Sequence, residues 1–99
     1  MAEPPPARVL FEHVTHRFER RVVTLEPGVE LPFVAGDWRD AIVLVQGGAL
    51  ELGCRAGGWR RFDAGAVLCL DGLGLRVLRN PGPAAIRVVA VSRRDGPAP

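Results

Sequence analysis

Short runs of β-forming residues, each ended by glycine, proline or aspartate, are the feature that most limits how this chain can fold. No stretch of ten residues repeats its apolar side chains at the 3.6-residue period that an amphipathic helix requires. The breakers between the runs, such as residues 56–58, 71–72 and 80–83, are typical turn sequences. A succession of short strands with regular turns predicts an all-β sandwich or barrel.

The sequence predicts about eight or nine strands with little or no helix. We expect them at residues 9–11, 18–25, 30–34, 41–45, 50–54, 59–62, 67–70, 75–78 and 86–91. Residues 50–54 and 59–62 are expected to form a hairpin, because the glycines between them supply the positive φ that such a turn needs. Residues 41–45 are apolar on both faces, which predicts a central strand covered on one side by the core. The other side would be covered by a second sheet or a partner subunit.

Length and composition favour one soluble domain. The 99 residues suffice for a single modest core, and the hydrophobic fraction of 47% and charged fraction of 24% are ordinary for a globular chain. No apolar run approaches the about 18 residues of a membrane span, and the N-terminus lacks the apolar segment of a signal peptide. We therefore expect a cytoplasmic protein with loose ends at residues 1–7 and 94–99 and one domain over residues 8–93.

Arginine and cysteine usage predicts no special chemistry. All 13 basic residues are arginine, and the abundance of alanine, glycine, proline and valine is typical of a GC-rich bacterial gene. Adjacent arginines, such as Arg20 and Arg21, are too scattered to form a nucleic-acid-binding stripe. Cys54 and Cys69 each lie in an apolar run and are expected to be reduced, buried thiols. A bridge between neighbouring strands is the alternative.

The glycines and some polar residues recur at defined distances. In the first segment five residues separate Gly28 from position 34, and in the second 14 residues separate Gly65 from Asn80. The pattern resembles the cupin family, whose motifs are G-x5-H-x-H-x3/4-E-x6-G and G-x5-P-x-G-x2-H-x3-N. The resemblance covers about residues 18–92. It implies a double-stranded β-helix, which is a small antiparallel jelly-roll barrel.

The turn positions of the two cupin motifs are matched by Gly28, Gly47, Gly65 and Asn80. The proline and glycine of the second motif would fall at Asp71 and Leu73, and the metal-binding residues are not present. The family's three histidines would fall at Val34, Gly36 and Arg76, and its glutamate at Asp40. The two histidines of the chain, His13 and His16, precede both motifs, and on a strand they would point to opposite faces. Imidazole and carboxylate ligands suit Fe, Mn, Zn, Ni and Cu. We therefore expect a metal-free protein with no cofactor.

Alternation along the strands indicates which side chains would face the barrel if the resemblance holds. The expected sets are Asp40, Ile42, Leu44 and Gln46 on one strand, and Gly74, Arg76, Leu78 and Asn80 on another. Asp40 and Arg76 would then meet where the family binds metal, and a bidentate ion pair could replace the cation. The alternative turns Arg76 outward to water and leaves Leu75 and Val77 inside.

The sequence contains no recognisable catalytic constellation. Ser92 is the only serine, and neither a G-x-S-x-G elbow nor a G-x4-G-K-[ST] loop is present. We predict a non-catalytic binding or interaction module that holds a small carboxylate-like ligand in the barrel. The candidate ligand-binding residues are Val34, Gly36, Trp38, Asp40, Gln46 and Arg76, with core packing as the alternative for Trp38.

Two other functions stay open. One is a divergent cupin enzyme that uses Asp40 as acid or base, with or without an atypical metal site formed with His13 and His16. The other is the sensor part of a regulator, which would have to act through a partner.

The resemblance also implies a homodimer, because small cupins commonly pair through one sheet. The expected surface combines residues 41–45 with Leu75 and Val77. Residues 9–11 would cover a sheet edge or cross to the partner. Neither a nucleic-acid nor a membrane partner is expected.

Overall fold

The computed structural model describes residues 7–15 and 18–93, with the backbone only over residues 11–15. Most of the expected loose ends, and His16, lie outside these residues. The elements are β1 Ala7–Thr15, β2 Phe18–Leu25, β3 Glu30–Pro32, α1 Ala35–Trp38, β4 Ala41–Gln46, β5 Leu50–Cys54, β6 Trp59–Phe62, β7 Val67–Leu68, β8 Leu75–Arg79 and β9 Ile86–Arg93. None of the helices in the described part is long and apolar enough to cross a membrane.

The strands form two antiparallel sheets that pack face to face. One sheet has the order β1-β2-β9-β4-β7, and the other has the order β3-β8-β5-β6. The hairpin of β5 and β6 pairs Leu50 with Phe62 and Gly53 with Trp59. The prediction of an all-β jelly roll with about nine short strands is confirmed.

Two strands are shorter than expected, and one helical turn was not expected. β3 ends at Pro32, although the backbone N–H of Phe33 still donates to the carbonyl of Arg76 over 2.9 Å. The chain then forms the single turn α1, in which the backbone N–H of Asp37 donates to the carbonyl of Val34 over 3.0 Å. β7 ends at Leu68 rather than residue 70.

The core lies between the sheets and consists almost entirely of aliphatic side chains. It is built from Val23, Leu25, Trp38, Ala41, Val43, Val45, Leu50, Leu52, Leu70, Leu75, Leu78, Ile86, Val88 and Ala90. Trp38 is its only aromatic member among the fully buried residues, and it comes from α1 rather than from a strand. The barrel interior is therefore filled by the protein's own side chains.

The inward-facing set of β4 is the opposite of the expected one. Ala41, Val43 and Val45 are buried in the core, whereas Ile42 is 58% exposed. Asp40 has a φ of 56° and lies in a turn, so the alternation of β4 does not extend back to it. The face of β4 that carries Ile42 is not covered within the single described chain, which corrects the expectation for a second sheet.

A β-bulge changes the alternation of β8. The register between β5 and β8 shifts at Gly53 and Cys54, so that Leu75 and Leu78 both enter the core. Arg76 is exposed, and its guanidinium carbon lies 5.9 Å from the centroid of the Trp59 ring. Leu78 and Asn80 face inward as expected, but Arg76 does not, so the buried pair of Asp40 and Arg76 is wrong.

Two smaller expectations also need correction. Leu75 and Val77 are buried and therefore cannot supply an outer dimer surface. Cys54 and Cys69 are both free, but neither is buried as expected: Cys54 is half-buried and Cys69 is exposed.

Candidate functional site

An arginine that sequence reasoning passed over lies at one end of the barrel. Glu19, Arg21, Val23 and Leu25 alternate along one face of β2, and Val23 and Leu25 are buried in the core. Arg21 therefore points toward the interior, one step outside the apolar layer. Opposite it on β9 stands Ala90, whose small side chain leaves room for a guanidinium group.

The Arg21 guanidinium is enclosed but poorly hydrogen-bonded. Its side chain is 12% exposed, and its Nη1 atom lies 4.0 Å from Oδ1 of Asp37, which is too long for a good hydrogen bond. Its Nε and Nη2 atoms are buried, and neither has a hydrogen-bond partner within the described residues. A buried polar group without a partner costs about 1–3 kcal/mol, and a charged group costs more.

The Trp38 indole packs against the Arg21 guanidinium. The indole is 2% exposed and packs in the core, which anchors the single turn α1 against the end of the barrel. The guanidinium carbon of Arg21 lies 4.2 Å from the centroid of the indole ring. Such a cation–π contact stabilises a desolvated guanidinium by about 2 kcal/mol, which offsets part of the burial cost.

Two effects on the Arg21 charge oppose each other. Burial lowers the pKa of the Arg21 guanidinium, while the nearby carboxylates of Asp37 and Glu19 act to raise it. Arginine does not lose its proton in proteins at neutral pH. The site therefore holds a permanent positive charge with unused N–H donors.

Two cavities meet at Arg21 and Asp37. The first has a volume of about 330 Å³ and a polar lining in which Glu19, Asp37 and Asp40 oppose Arg21, Arg39 and Arg93. The second has a volume of about 240 Å³, and most of its lining is apolar. That lining comes from Val9, Val23, Leu31, Pro32, Val34 and Trp38. The mouth of the barrel, defined here as these two cavities and their lining residues, combines one cation with an apolar recess.

The structure places four of the six predicted ligand-binding residues at this mouth. Gly36 and Asp40 line the polar cavity, and Val34 and Trp38 line the apolar one. Asp40 is exposed, and its backbone N–H donates to Oδ2 of Asp71 over 2.8 Å. The other two lie elsewhere: Gln46 at the far end of β4, and Arg76 beside Trp59 on the other sheet.

A signal for Arg21 was present in the sequence. The strand over residues 18–25 was predicted with the observed bounds, and its apolar residues Val23 and Leu25 mark the inward face. Alternation from these two residues puts Arg21 on that face. Arg21 is adjacent to Arg20 along the chain, but the two side chains lie on opposite faces of β2.

The residues at the family's metal positions do not fit a metal ion. Val34 and Gly36 offer no side-chain donor, Arg76 is a cation that points away, and only Asp40 carries a ligand oxygen. Among the side chains of residues 7–10 and 18–93, no three of His, Cys, Asp or Glu lie close enough to share a metal. His16 lies outside these residues, as does the side chain of His13.

Comparison with known proteins supports the fold through structure rather than sequence. No family model matches the sequence, and no curated protein matches it. A cupin domain from Bordetella pertussis superposes with a TM-score of 0.67 at 16% identity, over 95% of this chain and 99% of that one.

Two further structures superpose as well. A Cupin 2 conserved barrel domain protein from Salinispora arenicola has a TM-score of 0.65 at 28% identity, over 86% of this chain and 71% of that one. The Cupin_2 domain of an XRE family transcriptional regulator from Enterobacter cloacae has a TM-score of 0.64 at 22% identity. That match covers 88% of this chain and 95% of the regulator's domain. This shared architecture identifies the chain as a small domain with the cupin fold.

Proposed function

We propose that this domain is a non-catalytic, metal-free binding module that holds a small carboxylate against Arg21 at the mouth of the barrel. The observation that carries the proposal is the enclosed Arg21 guanidinium, whose Nε and Nη2 atoms lack partners among the described residues. A carboxylate is the matching acceptor, because its two oxygens meet the planar guanidinium fork with two parallel hydrogen bonds. Arg21 thus takes the anchoring role that the sequence suggested for Arg76.

The mouth suits a ligand better than the barrel interior does. The interior is occupied by aliphatic side chains and Trp38, whereas both cavities at the mouth open beside Arg21. The protein tolerates the cost of an enclosed, under-bonded charge at this one position, and such local costs are typical of functional sites. A ligand carboxylate would supply the missing acceptors and remove that cost.

The alternative enzyme, with Asp40 as acid or base, has weaker support. Asp40 lines the polar cavity, but its side chain is exposed to water. Catalytic carboxylates are usually sheltered in a cleft beside a specific charged partner. A binding role therefore agrees better with the geometry, and the regulator domain from Enterobacter cloacae offers a precedent for a cupin domain within a protein that is not named as an enzyme.

Arg21→Met tests the proposed function directly. We expect the parent domain to bind a small carboxylate such as propionate in calorimetric or NMR titrations, and the variant to bind it at least about 30-fold more weakly, because hydrogen bonds between charged groups are lost. Methionine keeps the packing on Trp38, so the free energy of unfolding is expected to stay within about 1 kcal/mol of the parent value or to exceed it.

Arg76→Met is the matched control, because it removes an exposed arginine outside the mouth. Its carboxylate affinity should equal that of the parent. Equal affinity of Arg21→Met and the parent would contradict the proposal, and so would the absence of carboxylate binding by the parent.

We also propose that the outer face of the five-stranded sheet binds a second copy of the chain. On this outer face, Leu10, Ile42 and Val67 are more than half exposed. Val22 and Val89 lie between them and are 4% and 7% exposed, and strand alternation puts Arg8, Arg20 and Arg87 on the same face. Five strands spaced by about 4.8 Å and about six residues long span roughly 500 Å² before side-chain relief. That area approaches the value of about 800 Å² per partner in a standard interface, and the exposed apolar side chains on this face would pack against their copies in a second chain.

Ile42→Glu tests this homodimer. We expect the parent to be dimeric by light scattering at about 50 µM, a concentration above the dissociation constant of a typical obligate pair. The variant should be monomeric, because it would bring two carboxylates into an apolar contact. Leu73→Glu, at an exposed leucine in the loop before β8, should remain dimeric. A monomeric parent would rule out the dimer.

A further inference from the structure

We infer that the ligand of the mouth is a small monocarboxylic acid with a short apolar tail, whose carboxylate replaces the Asp37 side chain beside Arg21. This inference rests on the proposed function and specifies its ligand class. It follows from the lining of the two cavities, from the charges around Arg21, and from the weak contact between Asp37 and the guanidinium.

The apolar recess indicates the tail. The cavity beside Trp38 is lined by Val9, Val23, Leu31, Pro32 and Val34, and it adjoins the Arg21 guanidinium directly. Pockets that combine apolar walls with one or two placed polar groups are typical of small-molecule sites. Its volume of about 240 Å³ equals that of roughly eight waters at about 30 Å³ each. A ligand of about six to eight non-hydrogen atoms would fill it.

The charges around Arg21 favour one negative charge on the ligand and disfavour two. The polar cavity beside Arg21 is lined by Glu19, Asp37 and Asp40, and also by Arg39 and Arg93. The three carboxylates balance the three arginines of this lining, so it offers no surplus positive charge for a second negative group of the ligand. A tail without charge avoids this lining by lying in the apolar recess.

Asp37 marks where the ligand carboxylate would lie. Its Oδ1 atom is 4.0 Å from Nη1 of Arg21, and its side chain is 56% exposed, so little holds it in place. Asp37 approaches the guanidinium at Nη1, so outward movement of its side chain to water opens that side of the guanidinium fork to a ligand carboxylate. The ligand then makes the short, charge-assisted bonds that Asp37 does not make.

The test compares four probes on the parent protein by calorimetry or NMR titration. These are 3-methylbutanoate, its neutral analogue 3-methylbutanamide, succinate and inorganic phosphate. We expect 3-methylbutanoate to bind most tightly, at least about tenfold more tightly than each of the others, since each lacks either the single charge or the tail. Binding should disappear in Arg21→Met.

Two variants separate the roles of the charge and the recess. Asp37→Asn should bind 3-methylbutanoate about fivefold more tightly, because a negative charge competing for Arg21 is removed. Val34→Ser should weaken the binding of 3-methylbutanoate by about fivefold, because the tail loses apolar contact. The affinity for acetate, which has no such tail, should not change. A purely structural role of Asp37 would not produce tighter binding.

The outcomes distinguish this inference from the proposed function. If succinate or phosphate binds as tightly as 3-methylbutanoate and this binding requires Arg21, the ligand class is wrong and the binding module stands. If the amide binds as tightly as the carboxylate, both are overturned. Weaker binding by Asp37→Asn would contradict the replacement of Asp37 by the ligand.

Discussion

Replacing Trp38 with alanine is expected to lower the free energy of unfolding by about 4 kcal/mol. The indole is 2% exposed and contacts the aliphatic core, so its removal leaves a large cavity that the two sheets cannot close. It also removes the ring over which the Arg21 guanidinium lies, and a buried charge then loses its cation–π contact. Chemical denaturation followed by circular dichroism measures the change.

Two variants check the cause of this loss. Trp38→Phe keeps an aromatic ring and part of the side-chain volume. It should therefore lower the free energy of unfolding clearly less than the alanine variant does. Trp59→Ala removes the other tryptophan, which is 39% exposed on the outer face of the second sheet, and should cost less than half as much. Equal effects at the two tryptophans would contradict the core position of Trp38.

Asn80→Ala is the second substitution with a large expected effect, a loss of about 3 kcal/mol in the free energy of unfolding. The Asn80 side chain is fully buried. Its Nδ2 donates to the carbonyls of Leu25 and Ala84, over 2.9 and 2.8 Å, and its Oδ1 accepts from the N–H of Gly82 over 3.0 Å. Alanine leaves these three backbone groups without their partner, and the bond to the Leu25 carbonyl is buried away from water.

The backbone of Asn80 joins the same region. Its carbonyl accepts from the N–H of Gly28, and its N–H donates to the carbonyl of Val29. Asn80 thus ties the end of β2 and the turn before β3 to the connection between the sheets after β8. We therefore expect the loss of the Asn80 side chain to change both the midpoint and the slope of denaturant unfolding, and one denaturant titration measures the two quantities.

Asn80→Asp tests whether the amide hydrogens matter. It keeps an acceptor for Gly82 but places a carboxylate oxygen against the carbonyls of Leu25 and Ala84, so it should be at least as destabilising as alanine at neutral pH. Gln46→Ala, at a half-buried amide on β4, should change stability by no more than about 0.5 kcal/mol. A similarly small change in stability on substituting Asn80 would contradict a stabilising role of its side-chain hydrogen bonds.

Local sequence patterns predicted most of the strands, because turns and strands depend on neighbouring residues. The bounds of β2, β5 and β6 agree with the expectation, since each is a β-forming run enclosed by turn residues. The spacing of Gly28, Gly47 and Asn80 also predicted the cupin architecture. Gly28 and Gly47 have φ values of 77° and 88°, which residues with a Cβ atom adopt only with strain.

The candidate site was predicted only in part. Val34, Gly36, Trp38 and Asp40 lie at the mouth of the barrel, as the motif spacing suggested, because they follow one another along a short segment. Arg76 and Gln46 do not, since their positions depended on strand alternation continuing without a break. The left-handed Asp40 interrupts it before β4, and the bulge opposite Gly53 interrupts it in β8.

The sequence by itself therefore determined the strands, their turns and the all-β class of this protein, because these follow from the conformational preferences of adjacent residues. Only the tertiary structure decided which faces turn inward and which arginine lies at the mouth. Arg21 is enclosed by Ala90 of β9 and by Trp38 of α1, which are distant from it along the chain. Its burial and its unpartnered N–H groups arise only when β2, β9 and α1 have come together.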